Sequence, residues 1–147
     1  MRQQLAALSN DKDVVIRIKP ESEEGAKDRL HAFALNSIFS AAPRGDNLFS
    51  YRFTEVMSCG SIPVVHADDW LYPFAPQLLN WSSIAVIIPE SKVNDTVDIL
   101  RDMSLEERCR SRKHVLEIYD RYMNNGEATI HGIIDSLESR AKLNRRV

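Results

Sequence analysis

An α/β, Rossmann-like three-layer domain with a mostly parallel sheet is predicted by three features of the chain. Short apolar runs recur at residues 13–19, 38–42, 62–66 and 84–88, each of a length that suits a buried strand. Segments with helical spacing lie between them, the alternation that βαβ units require. From Val93 onward the pattern is helical, so a helical carboxyl-terminal region follows the sheet. The 147 residues suit one domain, 1–147, with its core motifs in 1–90 and mainly helix in 91–147.

Each element follows from its residues. Residues 2–8 have helical spacing and stop at Ser9-Asn10-Asp11. The run "DVVIRIK", 13–19, is a strand bounded by Pro20. Residues 20–29 are polar and acidic, a solvated loop with room for a helical turn, and 30–35 form a short helix before the strand at 38–42. Residues 50–59 are helical, with Ser50 as cap, Phe53, Val56 and Met57 on one apolar face, and Gly60 at the end. After the strand at 62–66 comes a loop, "ADDWLYPF", then a short helix up to Asn80 and a fourth strand at 84–88. Three helices complete the chain, 93–103, 105–123 and 128–137, with Asn124-Asn125-Gly126 as a stop between the last two.

Composition narrows the function. With 19 basic and 21 acidic residues well mixed and a net charge of -2, the chain has no broad basic face for nucleic acid or an anionic membrane, so any anion site is local. Cys59 and Cys109 stand far apart without CxxC or Cys/His spacing, which disfavours zinc and a disulfide framework. No apolar run approaches the roughly 18 residues of a membrane span. There is no G-x-S-x-G elbow, no G-x-x-x-x-G-K-[ST] and no G-x-G-x-x-G, so the hydrolase, P-loop and dinucleotide classes recede.

The chemistry concentrates in 39–74. In a parallel sheet ligands sit beyond the carboxyl ends of the strands, where 43–50 and 66–74 fall. Pro43-Arg44-Gly45 leaves one strand, Gly45 is expected to allow a backbone conformation closed to other residues, and the helix from Ser50 points its free amides at the same mouth. Arg44 and Arg52 suit bidentate contacts to phosphate oxygens, and Glu55, three residues from Arg52, suits the two hydroxyls of a ribose. On spacing alone the plainer alternative also stands: Arg52 and Glu55 as a surface ion pair, Ser50 as an ordinary cap. His66, Asp68 and Asp69 would make an incomplete metal site, while Trp70, flanked by aspartates, is the candidate ring for stacking on a base or sugar.

The ordered motifs Phe39, Pro43, Gly45, Ser50, Arg52, Glu55, Pro63-Val64, Pro73-Phe74 and Asn80-Trp81 resemble the exostosin family of glycosyltransferases, over at least Met1 to Glu90. The resemblance implies the carboxyl-terminal, donor-binding half of a GT-B fold and inverting transfer from a nucleotide sugar, a UDP-sugar, to a glycan or glycoprotein acceptor. It places Arg44, Gly45, Ser50 and Arg52 on the diphosphate, Glu55 on the ribose, and His66, Asp68, Asp69 and Trp70 on the base or sugar. No metal and no further cofactor is implied, and "DDW" at Asp68-Asp69-Trp70 is not a metal motif. Many relatives carry cysteines where this chain has Ser40 and Ser61, so loss of a bridge between adjacent strands is expected.

Transferases of this kind also have an acceptor domain and a further strand ahead of the region matching Met1. The base that activates the acceptor is expected there, leaving the catalytic residues unassigned, and the exposed domain surface is expected to favour self-association. Golgi membrane residence is implied by the family, with any anchor outside these residues, or a cytoplasmic location if the chain is complete. The alternative to a transferase is a non-catalytic nucleotide-sugar-binding or protein-interaction module.

Overall fold

The computed structural model describes residues 1–16 and 26–144. Helix α1 (Arg2–Ala7) and helix α2 (Ala26–Leu35) precede strand β1 (Phe39–Pro43), helix α3 (Arg52–Ser58), strand β2 (Ile62–His66) and strand β3 (Val86–Ile87). Helices α4 (Thr96–Asp102), α5 (Leu105–Tyr122) and α6 (Gly126–Asn144) complete the domain. The sheet is parallel in the order β1-β2-β3, with Phe39 opposite Ile62, Pro43 opposite His66 and Val65 opposite Ile87.

Every residue of β2 is buried, the expected state of a central parallel strand covered on both faces. Alternation sends Val65 to one face, where Phe53 and Met57 of α3 and Val115 and Tyr122 of α5 join it in the core. Val64 and His66 turn to the other face, where His66 meets Thr96 at the start of α4. Helices thus cover both sides of the sheet, which is the α/β, three-layer arrangement.

Several elements differ from expectation for local reasons. The strand at 13–19 is not present over 13–16, because Ser9 and Asn10 take the backbone groups a sheet would use. Asn10 Oδ1 accepts from Val14 N at 3.0 Å, Ser9 Oγ accepts from Ile16 N at 3.1 Å, and Ser9 Oγ donates to Val14 O at 3.1 Å. Residues 17–19, and 20–25 of the predicted loop, lie outside the described residues, so the sheet has three strands among those described. Residues 26–29 continue α2 rather than a loop.

The helix expected before Asn80 is a series of turns, since Pro73 and Pro76 lack the amide a helix needs. The fourth apolar run pairs only over Val86–Ile87, because its first amides, Ile84 N and Ala85 N, donate to Trp81 O at 3.0 and 2.9 Å and close a 3-10 turn at Trp81–Ser83 that the Asn80 side chain caps at 3.2 Å. The helix expected at 93–103 divides into a 3-10 segment, Glu90–Asp95, and α4. Helix α5 begins in a capping box, with Glu107 accepting from Ser104 N at 2.8 Å and Ser104 Oγ accepting from Glu107 N at 3.2 Å.

Gly126 opens α6 rather than stopping α5 alone, because Asn125 Oδ1 accepts from Ala128 N at 2.9 Å as a cap. This last helix is turned outward. Gly132 faces Phe74 and Tyr122, and Asp135 accepts from Tyr122 Oη at 3.3 Å, so small and polar residues dock. Ile130, Ile133, Ile134 and Leu137, at helical spacing, are all about half exposed on the outside.

Candidate functional site: the carboxyl edge of the sheet

The three strands end side by side, and each is followed by a charged residue: Arg44 after β1, Asp68 after β2 and Glu90 after β3. Backbone bonding fixes them. Arg44 N donates to His66 O at 3.1 Å, prolonging the β1–β2 ladder by one residue. Asp68 and Glu90 clasp each other: Asp68 N donates to Glu90 Oε1 at 3.3 Å and Glu90 N donates to Asp68 Oδ1 at 3.2 Å. The same Glu90 Oε1 receives Arg44 Nη1 at 3.3 Å.

Arg52 and Glu55 do share a face of α3, ion-paired at 2.8 Å and each partly exposed. That geometry is the surface pair of the plainer alternative, and it leaves both side chains open to solvent. Asp68 and Asp69 are exposed, and Asp69 has a positive φ of 60°.

Three expectations about this edge need correction. Ser50 does not cap α3: Tyr51 is the N-cap, its side chain makes no capping bond, and Ser50 contributes its carbonyl, which accepts from Phe53 N at 2.9 Å. Gly45 is not in the left-handed region, and a Cβ there would meet only ordinary contacts, Phe49 O at 3.7 Å and Arg2 Nη2 at 3.8 Å. Its smallness is therefore not required by the free chain.

His66 cannot touch a base or sugar, because it has no exposed surface. Its Nε2 lies 2.9 Å from Thr96 Oγ1, whose own hydrogen goes to Val93 O at 2.6 Å, so Nε2 donates and Nδ1 is left as a buried acceptor without a partner among the described residues. Burial holds its pKa below the ordinary value, opposed by the nearby Glu90 charge. Trp70 is half-buried, with Tyr72 at 4.3 Å, Phe53 at 5.0 Å and Phe49 at 6.1 Å, and keeps part of its surface open.

Three residues at this edge went unnoticed in the sequence. Glu90 had a signal, its place directly after an apolar strand run. Arg2 had none, since only folding brings α1 beside Gly45. Tyr51 is 79% exposed and set edge-on to Phe49 at 5.2 Å, which makes it a more accessible ring than Trp70. A separate hollow of about 270 Å³, lined by Tyr72, Ala75, Pro76, Leu79, Trp81 and Ile87 among others, contains none of these charged residues. Among the described residues no three His, Cys, Asp or Glu side chains gather as a metal site, and no helix is long and apolar enough to cross a membrane.

Residues 1–103 match the model of the Exostosin GT47 domain, which takes in the whole sheet and every charged residue of its carboxyl edge. The chain belongs to the exostosin GT47 family. It is 28% identical over 109 residues to an exostosin-1 homolog of Caenorhabditis elegans, covering 74% of this chain and 28% of that protein. It is 29% identical over 105 residues to exostosin-1 of Drosophila melanogaster, with 71% of this chain and 14% of the relative covered. Mouse exostosin-2 is 32% identical over 84 residues, 55% of this chain and 12% of the relative. The exostosin-like chain thus spans less than a third of the length of these relatives.

Proposed function

We propose that this exostosin-family chain is the donor-binding portion of an inverting glycosyltransferase of GT-B type, which holds a UDP-sugar for transfer to a glycan or glycoprotein acceptor in the Golgi. One observation carries the reading: the basic residues expected to meet a diphosphate, Arg44 after β1 and Arg52 on α3, stand on the loop and helix that leave a strand end in a parallel sheet, within the family-matched region. Arg44 would contact the diphosphate, Arg52 would do so from α3, and Glu55 would accept from the ribose hydroxyls. Asp68 and Asp69 would face the base or sugar, Ser50 and Gly45 would contribute backbone groups, and His66 would support the loop from beneath. The base that deprotonates the acceptor is sought outside these residues.

The test is calorimetric titration with uridine diphosphate of the wild-type chain, Arg52→Ala and Glu55→Ala. Each variant is expected to bind at least about fivefold more weakly, a loss of one charge-assisted hydrogen bond. A folded wild-type chain that binds no nucleotide would overturn the reading. In that event the outward apolar face of α6 favours the second reading, a non-catalytic interaction module.

A further inference from the structure

Arg44 is not a vacant cation. The sheet order puts β2 between β1 and β3, so with strands about 4.8 Å apart the backbones of Arg44 and Glu90 stand on the order of 10 Å from each other. Their side chains meet across the carboxyl end of β2 in a 3.3 Å ion pair, at the edge of the sheet where parallel sheets bind ligands. Glu90 is held there from both sides, its amide on Asp68 Oδ1 and its Oε1 on Asp68 N. The Arg44 amide is tied to His66 O. Two backbone anchors therefore keep the carboxylate against the guanidinium.

We propose that Glu90 is an internal competitor for the anion site: its carboxylate neutralises Arg44 in the free chain and must be displaced before a diphosphate can engage that arginine. This rests on the donor-site reading above and adds to it a rule of selectivity. A small free anion has only its charge to set against the Glu90 pair. A nucleoside diphosphate, anchored also by ribose and base, has additional contacts to offset the exchange. Displacing Glu90 thus weakens both by the same factor, and the nucleotide, with its further contacts, is the one that stays bound.

Titration of wild type, Glu90→Gln and Arg44→Ala with uridine diphosphate, inorganic pyrophosphate and uridine tests this. The glutamine keeps an oxygen for Asp68 N and removes the charge. It is expected to tighten uridine diphosphate by about two- to fivefold and pyrophosphate at least as much, the scale of one partly exposed charge interaction, while leaving uridine unchanged. Arg44→Ala is expected to abolish that gain when combined with Glu90→Gln. Weaker or unchanged diphosphate binding in a Glu90→Gln variant with a wild-type melting temperature would overturn the proposal and leave the donor site standing. Absence of nucleotide binding in all variants would overturn both, and a gain with uridine as well would show that the effect is not exerted on the phosphates.

Discussion

Ser40 Oγ and Ser61 Oγ lie 2.8 Å apart, 21 positions distant in sequence, joining β1 to the residue just before β2. These are the two positions at which cysteines were expected of relatives, and the side chains do meet. A Ser40→Cys/Ser61→Cys double variant is therefore expected to close a disulfide with little backbone movement. By loop entropy the bridge would add up to about 3 kcal/mol. Thiol titration should show both cysteines consumed, and the melting temperature should drop to near the wild-type value under reductant. Two free thiols in the oxidised protein would show that the side chains meet only as hydroxyls.

The bond from His66 Nε2 to Thr96 Oγ1 ties β2 to α4 in a site without water access. Thr96→Val keeps the shape and strands the donor, so a loss of about 1–3 kcal/mol is expected by chemical denaturation. Because the folded pKa of His66 is lowered by burial, the unfolded chain takes up a proton first. The contribution of neutral His66 is complete above the ordinary value of 6.5 and falls away as pH drops below it toward the folded value. Melting temperatures between pH 7.5 and 5 should fall more steeply in wild type than in His66→Gln, and equal slopes would count against the burial argument.

What could be read in advance was the pattern that periodicity and turn chemistry control. Strand β2, helix α5 and the parallel character of the sheet all follow from apolar runs and spacing, because burying those faces leaves few alternatives. The misread segments are those in which side chains compete with the backbone: Ser9 and Asn10 closing on Val14, Asn80 and Asn125 capping turns, Pro73 and Pro76 removing donors. At the site, Arg44, Arg52 and Glu55 fell where the strand-to-helix turn puts them. The burial of His66 and the approach of Arg2 to Gly45 depend on tertiary packing, for which one sequence carries no period.

Phe53 links the core to the mouth. It is fully buried on α3 and touches Trp70 at 5.0 Å, Trp81 at 5.0 Å and Tyr72 at 6.3 Å. Phe53→Ala would leave a cavity beneath the 66–74 loop, at an expected cost of about 3–5 kcal/mol. Phe53→Leu, which fills most of that space, should cost far less while still loosening Trp70. Hydrogen exchange of the 66–74 amides separates the two effects, with faster exchange expected in both variants.

Gly132 has a tighter constraint. A Cβ there would lie 2.7 Å from Phe74 Cζ and 2.9 Å from Tyr122 Cδ1. Alanine would gain about 1 kcal/mol of helix propensity, but two rings of the docking face would have to move, and overpacking of that kind costs about 1–3 kcal/mol. The second effect should win, with Gly132→Ala destabilising and α6 opening first. Ile134→Gln on the outward face of the same helix, about half exposed already, should leave stability unchanged within about 0.5 kcal/mol.

Tyr72 gives the opposite sign from the usual loss on removing a tyrosine hydroxyl. Its ring is stacked on Trp81 at 5.8 Å and packed on Trp70 at 4.3 Å, yet its Oη is buried without a partner among the described residues. Burial, aided by the Asp68 charge, pushes its pKa up to about 12. A hydroxyl that has lost water and gained nothing opposes folding, so Tyr72→Phe should keep the ring contacts and raise stability by about 1 kcal/mol. The pH dependence provides a second check. The unfolded tyrosine ionises near 10 while the folded one does not, so wild-type stability should fall as pH rises above 10. Tyr72→Phe should be flatter over that range, and a lower melting temperature at neutral pH would mean that the hydroxyl is satisfied after all.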